Sequence, residues 1–135
     1  MAFDQTLTTQ AKLVALQALA TGTLKMALYT AQADLNASTL VYTTSNEVVG
    51  PGYTAGGETL TGVTVLTSGT TAYLTFDNVV WDPASFTARG ALIYNSTLAD
   101  LAVAVLDFGA DKTATSTFTV QVPVPSSTTA LVRFT

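Results

Sequence analysis

The fold turns on Phe86–Tyr94, which reads F-T-A-R-G-A-L-I-Y, and on Leu101–Phe108, which reads L-A-V-A-V-L-D-F. Both are short apolar runs rich in β-branched and aromatic residues. Asn95-Ser96 separates them and Gly109 follows, so each is a strand, and the second, the most continuously apolar, is expected at the centre of a sheet. Working outward, Thr59–Thr67 alternates as T-L-T-G-V-T-V-L-T before the turn Ser68-Gly69, and Ala72–Phe76 and Val79–Trp81 follow, closed by Asp82-Pro83. Downstream, Gly109-Ala110-Asp111-Lys112 reads as a hairpin turn, and Thr117–Val122 and Ala130–Phe134 as strands. Pro123 and Pro125 mark an open crossing between those two, because neither can donate to a ladder. Upstream, Leu24, Met26 and Leu28 alternate with Lys25, Ala27 and Tyr29 in a first strand.

About eight strands at roughly ten-residue spacing predict an antiparallel β-sandwich of jelly-roll-like character. The stretch before them differs. Thr9–Ala20 has helical periodicity, with Leu13, Leu16 and Ala20 on one face, Lys12 and Gln17 away from it, Thr8 or Thr9 as N-cap and Gly22 at the C-terminal end. The expected organisation is one domain over residues 1–135, with an N-terminal arm and helix over 1–22 and the sandwich over 23–135. Between Tyr42 and Thr59, Gly50-Pro51-Gly52 and Gly56-Gly57 give the densest turn chemistry in the chain, so Thr44–Gly57 is expected to be a long exposed loop.

Composition narrows the function. Charged residues make up 10% of the chain, against about 25% in a typical soluble domain, and threonine takes most of their place. A surface of Thr, Ser and Asn is easily desolvated, because no ion loses its hydration shell. Such a surface suits permanent contact with neighbouring protein. Five Lys+Arg against nine Asp+Glu leave no basic cluster for phosphate, so no nucleic-acid partner is expected. No apolar run reaches the roughly 18 residues of a membrane helix, and no signal peptide opens the sequence.

The chain has no cysteine and no histidine, which removes thiolate zinc sites and the commonest general base. Each remaining chemical candidate reduces to turn chemistry. Asp107 and Asp111 flank a glycine in D-F-G-A-D-K, a calcium-like spacing with too few acids and Lys112 beside it. The D-F-G letters match the kinase metal motif, but without its phosphate loop or catalytic loop. Asp77 and Asp82 could form a carboxylate pair for glycoside hydrolysis, yet each also ends a strand. Ser68 lies in T-S-G rather than in a nucleophile elbow, and no motif joins a serine to any lysine. The reading is therefore a non-enzymatic protein with no cofactor and no metal. Arg89, mid-strand beside Gly90, is either an exposed position or an interface anchor. Trp81 and Tyr53, with the Gly-rich loop, are the aromatic candidates for an interface or a carbohydrate platform, although a lone strand aromatic is more often core.

The runs T-A-R-G-A-L-I-Y-N (Thr87–Asn95) and A-V-A-V-L-D-F-G (Ala102–Gly109) resemble small virion structural proteins of tailed bacteriophages. So do L-K-M-A-L-Y-T (Leu24–Thr30), G-Y-T-A-G-G (Gly52–Gly57) and F-D-N-V-V-W (Phe76–Trp81). The resemblance spans roughly Leu24–Val122 and transfers no catalytic residue. It implies a capsid decoration or cement protein, or a head-fibre-like part, located in the virion after assembly in the host cytoplasm. Its partners would be the major capsid protein or other virion subunits, with the chain itself a homo-oligomer, a trimer being one form the resemblance allows. A tail, neck or fibre-base part is the alternative within the virion, and a carbohydrate- or receptor-binding β-module the alternative outside this class.

Overall fold

A computed structural model describes residue 3, residues 5–122 and residues 132–134. Helix α1 (Thr9–Leu19) comes first, followed by β1 (Leu24–Tyr29), β2 (Glu58–Thr59), β3 (Thr64–Ser68), β4 (Thr71–Thr75) and β5 (Val79–Trp81). Then come β6 (Phe86–Asn95), a 3-10 turn (Ser96–Leu98), β7 (Leu101–Ala114), β8 (Phe118–Val120) and β9 (Val132–Phe134). The protein is a mainly β, antiparallel sandwich with one N-terminal helix, as the strand spacing predicts. Its principal sheet has the order β2-β1-β6-β7, and a β3-β4-β9 sheet and a β5-β8 pair complete the architecture. The Pro123–Ser127 crossing lies outside the described residues, as does the start of the last expected strand.

Strands β1 and β6 are buried on both faces, because two different groups of side chains cover them. Leu24, Met26 and Leu28 of β1, with Ala91 and Ile93 of β6, join Leu16, Leu74, Phe76, Trp81 and Phe118 in the main core. The alternate residues Ala27, Tyr29, Leu92 and Tyr94 form a smaller cluster on the other face, covered by Ala33, Leu35 and Tyr42 of the β1–β2 connection. Removing a Leu side chain from water contributes about 1.5–3 kcal/mol, so β1 and β6 carry much of the stability. The central strand is thus β6. The expectation that Leu101–Phe108 is central is corrected: β6 is the one strand that pairs with β7, whose other side carries only the isolated Val41–Leu101 bridge among the described residues, so β7 lies at the sheet edge. A continuous apolar run indicates cover on both faces, and it does not indicate a neighbour on both edges.

The helix caps as expected, with Thr8 Oγ1 accepting from Ala11 N–H at 3.2 Å. Its inward face is rotated from the expected one. Lys12 is buried and donates through Nζ to the carbonyl of Thr70, in the β3–β4 turn, at 2.8 Å. Its aliphatic stem packs beside Leu16 while the ammonium caps that turn. Asn95, fully buried, ties the helix end to β6: Nδ2 donates to the carbonyls of Leu19 and Thr21, and Oδ1 accepts from the amides of Thr97 and Leu98.

Two turn assignments also change. Gly109–Lys112 is not a hairpin turn but continues β7 through a bulge: Ala88 pairs with Lys112 and Gly90 with Asp107, so the intervening residues of β7 face Arg89 alone. A hairpin would end the strand here, whereas Gly109 at φ 81° lets the chain bow out and rejoin the ladder. Residues 44–57 are not a free exposed loop. Val48 N–H donates to Leu28 O, Thr30 N–H donates to Asn46 O, and Glu47, Val48 and Gly56 are buried.

Candidate functional site

The segment between β1 and β2 is held by one carboxylate. Glu47 pairs opposite Tyr29 across an isolated bridge, which directs its side chain inward. Its Oε1 accepts from the Tyr42 hydroxyl at 2.6 Å, and its Oε2 accepts from the Tyr53 hydroxyl and from Gly56 N–H at 2.9 Å. Tyr53 Oη in turn accepts from Leu28 N–H at 3.0 Å, so the network ends on β1. Around it, Tyr29 donates to Thr43 O at 2.6 Å and Tyr94 to Gly56 O at 2.7 Å, while Tyr42 stacks on Tyr94 at 4.6 Å. Burial raises the phenol pKa values of Tyr53, Tyr42 and Tyr29 well above the ordinary value, with the adjacent Glu47 adding to it. Tyr94 is pushed up to about 12 by burial, then by Asp100 and Glu47. All four phenols stay neutral donors at any physiological pH. This network is a structural lock: its carboxylate is committed to three hydrogen bonds and its four phenols tie the segment to β1 and β6.

Of the aromatic candidates, Trp81 lies in the main core at 1% exposure, stacked with Tyr53 at 6.4 Å and edge-on to Phe118 at 6.0 Å. It presents no ring face to a sugar, so Trp81 is core, the more frequent use of a lone strand aromatic, and not a carbohydrate platform. Tyr53 is half-buried, and its hydroxyl is committed to Glu47 and Leu28. Asp77 accepts from the Thr61 hydroxyl at 3.1 Å and its amide donates to Thr61 O, tying the segment after β4 to the one before β3. Asp82 is exposed beside Pro83. Among the described residues no group of three or more His, Cys, Asp or Glu converges on one point, and no helix is long and apolar enough to cross a membrane.

Arg89 is the candidate that faces outward. It lies on the outer face of the principal sheet, opposite the β7 bulge, and its Nε donates to Asp107 Oδ1 at 3.2 Å. Asp107 also accepts from Gly109 N–H at 2.8 Å. Its carboxyl pKa is lowered first by that amide and then by Arg89. The carboxylate with the calcium-like spacing makes local bonds within the bulge, to Arg89 and to Gly109 N–H. Beside this pair lie two shallow clefts of about 270 and 330 Å³ that share Val105. Their linings mix apolar residues such as Leu35, Leu92 and Ala102 with polar ones, Thr30, Arg89 and Asp107 in the first and Asn36 and Thr39 in the second. Leu40 and Val41, which bridge to the start of β7, add exposed apolar surface at 75% and 50%. The arrangement is a mixed polar and apolar face with one ion pair among its lining residues and exposed apolar side chains at its rim.

Sequence reasoning missed Glu47, since an isolated acid in S-N-E-V-V reads as solvated. The adjoining Val48 and the two tyrosines flanking it at Tyr42 and Tyr53 are the available signal. Comparisons with protein-family models, curated proteins and solved structures return no match.

Proposed function

We propose that this chain is a structural subunit of a tailed-bacteriophage virion, a capsid decoration or cement protein that binds the outer head surface and stabilises the shell. The observation that carries the reading is a coincidence of place. Two of the runs that resemble such proteins, Thr87–Asn95 and Ala102–Gly109, form the β6–β7 pair whose outer face bears the two shallow clefts and the Arg89–Asp107 pair. A face with so little charge is desolvated at low cost on docking, so buried area converts to adhesion with few ions to dehydrate. The partners are the major capsid protein or another virion subunit, and further copies of the chain itself. No catalytic step is assigned.

Quantifying the chain in purified particles tests the reading. A decoration protein is present in hundreds of copies per virion. A handful to a few dozen copies would place it in the tail, neck or fibre base, and absence from particles would refute a virion role.

A further inference from the structure

The principal sheet has two edges, and they differ. At one, β2 is only Glu58–Thr59, and it carries an exposed acid and follows the left-handed glycines Gly56 and Gly57. Short length, charge and irregular backbone are the features by which proteins block edge-to-edge pairing. At the other edge, β7 has no charge and no proline from Leu101 to Leu106. Its first charge, Asp107, is already neutralised by Arg89 of the same chain. Among the described residues only Leu40–Tyr42 covers this edge: Ala102 N–H donates to Leu40 O and Tyr42 N–H to Asp100 O. Beyond Ala102 no main-chain hydrogen bond joins β7 to anything but β6 among the described residues. A run of unpaired N–H and C=O groups on an uncharged apolar strand is a template for another strand.

We propose that β7 is a self-association edge: two copies pair their β7 strands antiparallel about a two-fold axis at Val105, joining two four-stranded sheets into one. The occupant is a second copy for three reasons. The opposite edge is blocked, which disfavours head-to-tail stacking and leaves β7 against β7, a closed, isologous contact. The ladder about Val105 sets Ala104 opposite Leu106 and Val103 opposite Asp107 of the second copy, so no like charges face each other although the chain carries −4 overall. Finally, the paired stretch Val103–Asp107 is the part of the edge that Leu40–Tyr42 leaves open. Val105, 37% exposed on the outer face, then meets its own copy. This inference does not rest on the virion reading, since it concerns the isolated chain.

Two readouts test it. In sedimentation at rising concentration the wild type should approach twice the 14.0 kDa chain mass, and Val105→Lys, which sets two lysines face to face, should remain at one chain mass. Val49→Lys, at a site 94% exposed and off the edge, should associate like the wild type. The second readout is conservative in size and exploits the absence of cysteine. Directly opposed residues have Cβ atoms about 4.5–5.5 Å apart, within reach of a near-ideal disulfide after slight adjustment, so Val105→Cys should cross-link to a covalent dimer under mild oxidation while Val49→Cys does not. A wild type that stays monomeric, a trimer, a Val105→Lys variant that associates normally, or a Val105→Cys variant that fails to cross-link would each overturn the proposal.

Discussion

Replacing Glu47 by alanine removes the acceptor of three donors at once. Gly56 N–H and the Tyr53 hydroxyl lie in buried or half-buried surroundings, and each orphaned donor there costs about 1–3 kcal/mol. Tyr42 is half-exposed and can turn to water, so it adds little. Relief of the carboxylate's own desolvation offsets part of the loss, which leaves a net destabilisation of about 3 kcal/mol, a large share of the 5–15 kcal/mol typical of a domain. Glu47→Gln separates the hydrogen bonds from the charge. Its carbonyl oxygen can take the Oε2 position and keep Tyr53 and Gly56, while the Tyr42 hydroxyl reverses to accept from the amide, so the change should stay within about 1 kcal/mol of wild type. Urea unfolding followed by tryptophan fluorescence measures both, with unchanged m-values as the check that only stability moved. Hydrogen exchange should show protection of Val48 and Gly56 amides falling in Glu47→Ala well before the β6 amides. A Glu47→Ala variant within 1 kcal/mol of wild type, or a Gln variant as damaged as the Ala one, would refute the lock.

Three further outcomes follow from other parts of the fold. Trp81 Nε1 is buried with no acceptor among the described residues, so Trp81→Phe should forfeit mainly volume and cost no more than about 2 kcal/mol, against about 3–5 kcal/mol for Trp81→Ala, both read from thermal unfolding. Gly57→Ala would set a Cβ 1.8 Å from Met26 O at φ +77°, whereas Gly69→Ala, at φ +60°, meets nothing within 4 Å. The first should destabilise by more than about 4 kcal/mol and the second by about 1–2 kcal/mol. Asp107 should titrate below its ordinary 3.8 in a carbon-detected NMR experiment. Because the folded value is the lower one, its contribution is present above the unfolded pKa and is lost as pH falls through the folded pKa. Arg89→Ala should raise the midpoint only part of the way, since Gly109 N–H is the larger cause.

The local patterns were legible in the sequence where one residue type has one structural use. The Thr8 cap, the turn at Ser68-Gly69 and the alternation in Leu24–Tyr29 all sit where spacing and turn chemistry put them. What the sequence hid depends on contacts between distant segments. Leu101–Phe108 reads as central because burial and edge pairing leave the same apolar signature, and the β2-β1-β6-β7 order that distinguishes them is a tertiary fact. Lys12 reads as solvated because its charge outweighs its stem in any periodicity argument, while the acceptor that buries it, Thr70 O, lies 58 residues away. Glu47 was hidden for the same reason. A polar loop with glycines reads as exposed until its acid is seen to gather the tyrosines that fold it back. For the interface candidates, Arg89 kept its outward place, Trp81 proved to be core, and Tyr53 belongs to the lock.

The most direct test of a decoration role is a reconstruction of the intact particle by electron microscopy, compared with particles lacking this chain. The difference density should lie on the outer surface of the head lattice, at junctions between capsid subunits, with a β-sandwich of this size fitting each peak. Difference density confined to the tail or neck, or none at all, would contradict it.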